Sequence, residues 1–252
     1  MAGRAGGRPP AGLTLFIRAI RLDGAPRAGY PFDLPAVRAL ADGRELRFPT
    51  AVTLLSGDNG SGKSTLIEAV AVAAGLNPEG GSESFRFATR SSESSLGEHL
   101  TLVRTPGRNP RSGFFLRAES YYNVATEIER LGVTGSYGGV SPHQRSHGES
   151  FLDLAAHRFR PGGLYLLDEP EAALSVNGCL ALLLRIADLV EAGSQFLIAT
   201  HSPILLASPG ATILEITPEG PIREVPYDQA EPVALTRAFL ADPGRFLRHL
   251  SL

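Results

Sequence analysis

Short apolar runs alternate along the chain with longer segments in which apolar residues recur at helical spacing. The short runs predict β-strands, and the longer segments predict α-helices. Because strands that alternate with helices favour a mostly parallel sheet with helices on both faces, the pattern predicts an α/β fold. The predicted strands are 13–22, 44–48, 51–55, 99–104, 112–118, 164–167, 195–200, 212–216 and 222–225, and the predicted helices are 64–74, 121–131, about 150–159, 173–190 and 233–250, the last broken at Pro243 and Gly244.

Turn-forming and polar segments divide this pattern. Residues 1–12 consist mainly of Gly, Arg, Ala and Pro and predict a disordered tail, which leaves 13–252 as one domain. The polar residues 78–98 predict a mobile surface segment. Turn residues between the strands 99–104 and 112–118 predict a β-hairpin. We expect four arginines at the solvated surface of this hairpin, with a basic contact patch as the alternative: Arg104, Arg108, Arg111 and Arg117.

Composition limits the classes of partner. The chain has 252 residues, of which 43% are hydrophobic, and this is enough to bury the core of one large α/β domain. A formal net charge of −2 does not predict nucleic acid as a tight ligand. The single cysteine, Cys179, excludes an internal disulfide and is expected in the core. No apolar run reaches membrane-spanning length and no signal peptide opens the chain, so we expect a cytoplasmic protein without an integral membrane segment.

The stretch from Gly57 to Thr65 fits the phosphate-binding P-loop pattern G-x-x-x-x-G-K-[ST], between a predicted strand and a predicted helix. In such a loop, glycines allow a tight turn whose backbone N–H groups bind phosphate oxygens, assisted by the N-terminus of the following helix. Lys63 is expected to bind the β- and γ-phosphates, and the Ser64 hydroxyl to bind Mg²⁺. Lys63 is also the only lysine of the chain, and arginine cannot replace a compact ammonium among phosphates. The predicted nucleotide-binding residues of the loop are Gly57, Asp58, Asn59, Gly60, Ser61, Gly62, Lys63, Ser64 and Thr65.

Two adjacent carboxylates, Asp168 and Glu169, follow the apolar run 164–167. Unpaired charges at the end of a buried strand are costly, which argues for a functional reason to keep them. Together with the P-loop, the stretch from Leu164 to Glu169 is typical of a Walker B strand. Asp168 would then hold Mg²⁺, and Glu169 would orient and activate the attacking water.

Further stretches resemble those of ABC-type ATPases. The stretch from Asp168 to Ser175 resembles the Walker B motif and D-loop of that family, with Ser175 where many transporter members have Asp. The stretch from Ser146 to Glu149 resembles the ABC signature, about twenty residues before the Walker B carboxylates. In it, His147 replaces a glycine, and Glu149 replaces glutamine as in SMC-type members.

The resemblance also includes His201, in a stretch from Thr200 to Pro203 that looks like the switch-histidine loop, and Glu119, which stands in place of the Q-loop glutamine. It spans residues 13 to about 217 and implies an ABC-type ATPase head: a mostly parallel sheet flanked by helices, an antiparallel β subdomain, and a small helical and signature subdomain at about 120–160. The resemblance implies ATP and Mg²⁺ as ligands. The residues expected to bind the metal are Ser64, Asp168 and Glu119, and those expected to bind the nucleotide are Ser146, Gly148 and Glu149. The expected catalytic residues are Glu169, His201 and Lys63.

In ABC-type proteins, the signature contacts the γ-phosphate bound to the opposite subunit, so the resemblance implies an ATP-dependent homodimer. The 26 residues between Glu119 and Ser146 are short for the docking subdomain of a transporter ATP-binding subunit. No heptad run predicts the coiled coil of an SMC-type DNA-repair ATPase. We therefore expect a stand-alone head similar to soluble bacterial ATPases of this type. Both other classes and a slow ATP-gated dimerisation switch stay alternatives, and the client and any further protein partner stay open.

Overall fold

The computed structural model describes residues 15–24, 28–77, 95–118, 147–218 and 221–249, with the backbone alone at positions 147 and 249. The tail 1–12, the helix 121–131 and the residues Glu119 and Ser146 therefore lie outside the described residues. The strands are β1 (Ile17–Leu22), β2 (Glu45–Arg47), β3 (Val52–Gly57), β4 (Leu100–Arg104), β5 (Ser112–Arg117), β6 (Gly163–Asp168), β7 (Gln195–Ala199), β8 (Thr212–Ile216) and β9 (Arg223–Val225). The α-helices are α1 (Pro35–Arg38), α2 (Lys63–Ala73), α3 (His147–Arg158), α4 (Val176–Glu191), α5 (Pro203–Leu206), α6 (Glu231–Ala241) and α7 (Pro243–His249).

Two sheets organise these elements. Six strands form a sheet in the order β5-β6-β7-β3-β8-β9, in which all neighbours are parallel except the antiparallel edge pair β8 and β9. All residues of β3, β6 and β7 are buried, as expected for parallel strands covered on both faces. The strands β2, β1 and β4 form a separate antiparallel sheet in that order. The predicted α/β fold with an antiparallel β subdomain is thus confirmed.

Each face of the large sheet has its own hydrophobic core. Helix α2 packs with the antiparallel sheet on one face, through residues such as Leu66 and Ile20. Helices α3 and α4 pack on the other face, through residues such as Phe151 and Leu182. Helix α2 is consequently enclosed, and this fixes the position of the loop that precedes it.

One buried side chain, Gln195, joins the two sheets. Its Oε1 accepts hydrogen bonds from the backbone N–H groups of Phe16 and Ile17, at 2.9 and 3.0 Å, and its Nε2 donates to the Ile17 carbonyl at 2.7 Å. Because Gln195 begins β7 and Ile17 begins β1, a single amide satisfies three backbone groups where the sheets meet.

The predicted β-hairpin is wrong. Strand β4 pairs with β1 in the antiparallel sheet, whereas β5 pairs with β6 in the parallel sheet. Residues 114–116 of β5 are almost fully buried, and burial of this kind is available inside the large sheet but not in an exposed hairpin. Consequently Arg117 does not lie on a solvated hairpin surface. Its side chain is 23% exposed and makes two ion pairs with carboxylates of neighbouring elements.

Two other predicted boundaries change. The helix predicted at 173–190 is a 3₁₀ helix at Pro170–Ala173 followed by α4, because Leu174 is extended and the Ser175 hydroxyl accepts a hydrogen bond from the Gly178 N–H and caps α4. The end of the segment predicted as mobile surface, 95–98, belongs to a 3₁₀ helix at Ser95–His99, which buries Leu96 in the core that contains α2.

Candidate nucleotide site

Three loops meet at one edge of the large sheet. The P-loop follows β3, Glu169 follows β6, and His201 follows β7 two residues beyond its end. These three strands are parallel neighbours, and the registers Asp168 with Ala199 and Leu55 with Ala199 bring their carboxyl ends together. The loops beyond the carboxyl ends of parallel strands are where α/β proteins bind ligands.

Backbone conformations in the P-loop require glycine at two positions. Gly57 has φ of 146°, and a Cβ there would lie 2.5 Å from the carbonyl oxygen of Ile216 on β8. Gly62, at the N-cap of α2, has φ of 94°, and a Cβ there would lie 3.0 Å from the Cβ of Leu34. Next to Leu34, helix α1 borders the loop, because the Ala36 N–H donates to the Ser61 carbonyl at 2.9 Å. The sequence analysis did not predict α1, whose four residues are too few to show a helical period.

Lys63 lies inside the loop. Its Nζ donates to the carbonyl oxygens of Gly57 and Asp58, at 2.7 and 3.0 Å, and the residue is 3% exposed. An ammonium has three donors, so one remains for a phosphate oxygen. Burial lowers the pKa of Lys63 from its ordinary value, and the negative charges of Glu169 and Asp168 oppose that shift.

Asp168 has two oxygens in different surroundings. Its Oδ2 accepts a hydrogen bond from Arg117 Nε at 2.9 Å, and Arg117 Nη2 lies 3.1 Å from Glu68 Oε2 on α2. Its Oδ1 is buried and has no hydrogen-bond partner among the described residues. An orphaned carboxylate oxygen beside the P-loop is a donor of the kind that Mg²⁺ prefers, so the residues present fit that ion.

Glu169 and His201 lie side by side. His201 Nε2 is 3.6 Å from Glu169 Oε1, and the two side chains are 33% and 38% exposed. His201 Nε2 itself is buried and has no hydrogen-bond partner among the described residues. Glu169 adopts a left-handed backbone conformation, with φ of 47°, although it is not glycine. Its N–H donates to the Ala199 carbonyl at 2.9 Å, which holds this conformation against β7. Strained residues of this kind are concentrated at functional sites.

Glu171 is a site residue that the sequence did not predict. Its Oε1 accepts hydrogen bonds from the Thr200 hydroxyl at 2.8 Å, the His201 N–H at 2.6 Å and the Ser202 N–H at 3.1 Å. The only sequence signal was its position two residues after Glu169, and the contact spans 30 residues along the chain.

The remaining predicted residues lie as follows. Ser64 and Thr65 are partly buried in the first turn of α2, Asp58, Asn59 and Gly60 are exposed in the loop, and Ser61 is buried with no partner for its Oγ among the described residues. Gly148 and Glu149 lie in the first turn of α3, and a Cβ on Gly148 would lie 3.1 Å from the carbonyl oxygen of Ala173, so that turn approaches the 3₁₀ helix after Glu169. The ligand roles of these residues stay predictions.

Two sequence-family models match the chain. One, described as an AAA domain, matches residues 35–123, and the other, an AAA-domain model whose description associates it with the AbiEii toxin of type IV toxin–antitoxin systems, matches residues 130–207. The first match contains the P-loop, and the second contains Asp168, Glu169 and His201. Together with the architecture above, these matches support a P-loop ATPase of the ABC/SMC-like kind, and such a family implies nucleotide hydrolysis. No curated protein matches the sequence significantly.

Solved structures give distant likenesses. The alignment with the SMC head domain from Thermotoga maritima has 18% sequence identity and a TM-score of 0.44, and it spans 84% of this chain and 100% of the SMC chain. A second similar structure is that of cbiO1 from Clostridium perfringens, part of the ABC transporter complex cbiONQ. This alignment has 17% sequence identity and a TM-score of 0.49, and it spans 94% of this chain and 100% of the cbiO1 chain. Among the residues described here, no helix is both long and apolar enough to span a membrane.

Proposed function

We propose that this chain binds ATP with Mg²⁺ at the P-loop and hydrolyses it, and that hydrolysis takes place in an ATP-sandwiched homodimer. The observation that carries the proposal is the meeting of three groups at one sheet edge. These are Lys63 with a donor to spare, Asp168 with an orphaned oxygen, and the neighbouring pair Glu169 and His201.

The P-loop supplies binding and charge neutralisation. Backbone N–H groups of the loop and of the first turn of α2 donate to phosphate oxygens, and the ammonium of Lys63 neutralises charge at the β- and γ-phosphates. Because Lys63 is already held by two carbonyls of the loop, it loses little side-chain freedom when nucleotide binds.

Ser64 and Asp168 would hold Mg²⁺, and Glu119 is the further candidate ligand that the family resemblance suggests. When bound, Mg²⁺ neutralises charge on the phosphate oxygens during phosphoryl transfer. Arg117 fixes one oxygen of Asp168, which leaves the other oxygen for the metal.

Glu169 is the candidate general base. Its carboxylate accepts a proton from a water molecule while the water oxygen attacks the γ-phosphorus and the bond to the β,γ-bridging oxygen breaks, which yields ADP and phosphate. His201, beside Glu169, orients the water and donates toward the γ-phosphate. In the dimer, Ser146 and Gly148 of the second subunit would complete the site.

The first experiment tests nucleotide binding by calorimetry with MgATP. Lys63→Ala should abolish binding because the loop loses its only ammonium. Lys63→Arg is the matched variant, and we expect it to bind weakly, since a planar guanidinium does not fit between the two loop carbonyls. Unchanged affinity in Lys63→Ala would refute the P-loop assignment.

The second experiment tests the dimer. Glu169→Gln keeps the nucleotide contacts but removes the base, so this variant should be dimeric with ATP, monomeric without it, and nearly inactive. Ser146→Arg should bind ATP but neither dimerise nor hydrolyse it. Light scattering and phosphate release measure these properties. A Glu169→Gln protein that stays monomeric at saturating ATP contradicts the sandwich.

Mixing Ser146→Arg with Lys63→Ala sharpens the test. In a dimer of one subunit of each kind, one composite site carries both defects and the other carries neither, so partial activity should return. A mixture as inactive as its components, or a fully active Ser146→Arg monomer, would leave a P-loop ATPase that does not use the signature in trans.

A further inference from the structure

We propose that Glu171 is a positioning residue that holds the histidine loop, Thr200 to Ser202, in the geometry that places His201 beside Glu169. The effect of Glu171 on catalysis rests on the proposed ATPase function, whereas its role in holding the histidine loop is independent of that function. The residue lies in the 3₁₀ helix Pro170–Ala173, directly after Glu169 and Pro170.

The contact is unusual in its concentration on one atom. Oε1 of Glu171 accepts three hydrogen bonds, from one hydroxyl and two backbone N–H groups of consecutive residues in the histidine loop. The hydroxyl of Thr200 in turn accepts from the Ser202 N–H at 3.0 Å, so the loop is closed around the carboxylate. Hydrogen bonds to an ionised acceptor are stronger than those between neutral groups, and this one carboxylate therefore fixes the loop.

The surroundings of the second carboxylate oxygen of Glu171 are energetically unfavourable. Glu171 Oε2 is buried and has no hydrogen-bond partner among the described residues. A carboxylate oxygen that leaves water without a partner is unfavourable, so the side chain would turn outward if Oε1 did not bind the loop. The three bonds to the histidine loop compensate for that cost.

Glu171 links the position of His201 to that of Glu169. Glu169 and Glu171 are two residues apart in one rigid turn, and His201 is held from the same turn through its own backbone N–H. The separation of 3.6 Å between His201 Nε2 and Glu169 Oε1 is therefore set by Glu171 and by the pairing of β6 with β7. No contact of Glu171 with nucleotide is required, which distinguishes a positioning residue from a catalytic one.

The experiment compares three variants of the full chain. Glu171→Ala removes the acceptor, Glu171→Met removes it while keeping the side-chain volume if the alanine variant fails to fold, and Glu171→Gln keeps an acceptor oxygen. Glu215→Ala is the matched control, because Glu215 Oε1 also accepts a backbone N–H, from Glu231 at 2.8 Å, away from the histidine loop. The readouts are amide hydrogen exchange at His201 and Ser202 without nucleotide, and kcat and KM for MgATP.

In Glu171→Ala and Glu171→Met, exchange at His201 should accelerate by on the order of tenfold or more, because its N–H loses its acceptor. Exchange at Ser202 should accelerate less, because its N–H also donates to the Thr200 hydroxyl. The kcat should fall by about 10- to 100-fold with KM nearly unchanged, since the loop is misplaced while the P-loop is intact. Glu171→Gln should restore most of both properties, and Glu215→Ala should change neither. Unchanged exchange in the first two variants, or a Glu171→Gln protein as impaired as Glu171→Ala, would overturn the proposal.

The two proposals fail in different ways. If the wild-type chain does not hydrolyse MgATP, the proposed ATPase function fails, and the exchange measurement still decides whether Glu171 holds the loop. If the wild-type chain hydrolyses MgATP but exchange and kcat in Glu171→Ala equal those of the wild type, the role of Glu171 fails and the ATPase function stands.

Discussion

Replacing Arg117 with Met is expected to lower the free energy of unfolding by about 3 kcal/mol, at the lower end of the cost of breaking a buried ion pair. Arg117 Nε lies 2.9 Å from Asp168 Oδ2 and Nη2 lies 3.1 Å from Glu68 Oε2, and the carboxylate side chains are only 4% and 11% exposed. Removing the guanidinium leaves two buried carboxylates near each other without this counter-charge. We take the lower end because the Arg117 side chain itself is 23% exposed. The guanidinium carbon of Arg117 also lies 5.9 Å from the centre of the Phe115 ring, and methionine places an unbranched apolar side chain there without the charge.

Urea unfolding at neutral pH measures this loss. Adding Asp168→Asn to Arg117→Met should recover about 1 to 2 kcal/mol, because the charge that the arginine compensated is gone. The matched control is Arg237→Met, since Arg237 pairs with Asp228 at 2.6 Å but both side chains are more than half exposed. That variant should cost about 0.5 kcal/mol or less. An Arg117→Met protein as stable as Arg237→Met, or no coupling with Asp168, would refute the reasoning.

Three further predictions concern residues with unusual surroundings. Gln195→Met should cost about 3 kcal/mol in urea unfolding, because three backbone groups lose their partner, whereas exposed Gln229→Met should cost little; equal losses would contradict this. Burial raises the pKa of the Cys179 thiol, so alkylation of the folded protein by iodoacetamide should be far slower than in urea and should still accelerate above the ordinary thiol pKa of about 8.5; equal rates in both states would disprove it. Glu169→Gly should unfold with a free energy about 1 kcal/mol higher than Glu169→Ala, because glycine tolerates the left-handed conformation. At Asp188, which is helical, the alanine variant should be the more stable one. If alanine is more stable at both positions, Glu169 is not strained.

The parts of the site that the sequence predicted are those fixed by local pattern. The P-loop lies between β3 and α2 as predicted, and glycine is required at Gly57 and Gly62, where a Cβ would meet backbone or side-chain atoms. The role of Asp168 was expected from its place after an apolar strand and that of His201 from the resemblance to ABC-type ATPases, and the structure brings both to the P-loop because the carboxyl ends of parallel strands share one edge. The P-loop needed only a local pattern, whereas His201 needed the family resemblance as well.

The parts that it missed depend on partners far apart in the chain. Pairing of β5 with β6 instead of β4 joins segments about fifty residues apart, and local turn residues carried no information on that choice. For the same reason Arg117 was placed at a solvated surface. The contacts of Glu171 with the histidine loop likewise join residues 29 to 31 positions apart. The spacing of charges alone does not reveal which buried carboxylate finds which donor.

Three energetically unfavourable features of this fold lie together at the edge where the nucleotide is proposed to bind. Lys63 is buried, one oxygen of Asp168 has no partner among the described residues, and Glu169 has a left-handed backbone. Buried polar atoms without a partner also occur elsewhere among the described residues, at Thr53 Oγ1, Thr105 Oγ1, Arg108 Nε and Arg185 Nε, and Asp42 also has a positive φ, so the distinguishing property of this edge is the combination of the three features. Local features that oppose folding persist when surrounding structure compensates for them, and here Arg117 and the loop carbonyls do so. Phosphate oxygens and a cation are the groups that complement a spare ammonium donor and an orphaned carboxylate oxygen. The combination of a buried ammonium, an orphaned carboxylate oxygen and a left-handed backbone at one edge of the sheet therefore supports the proposed nucleotide site on grounds independent of family likeness.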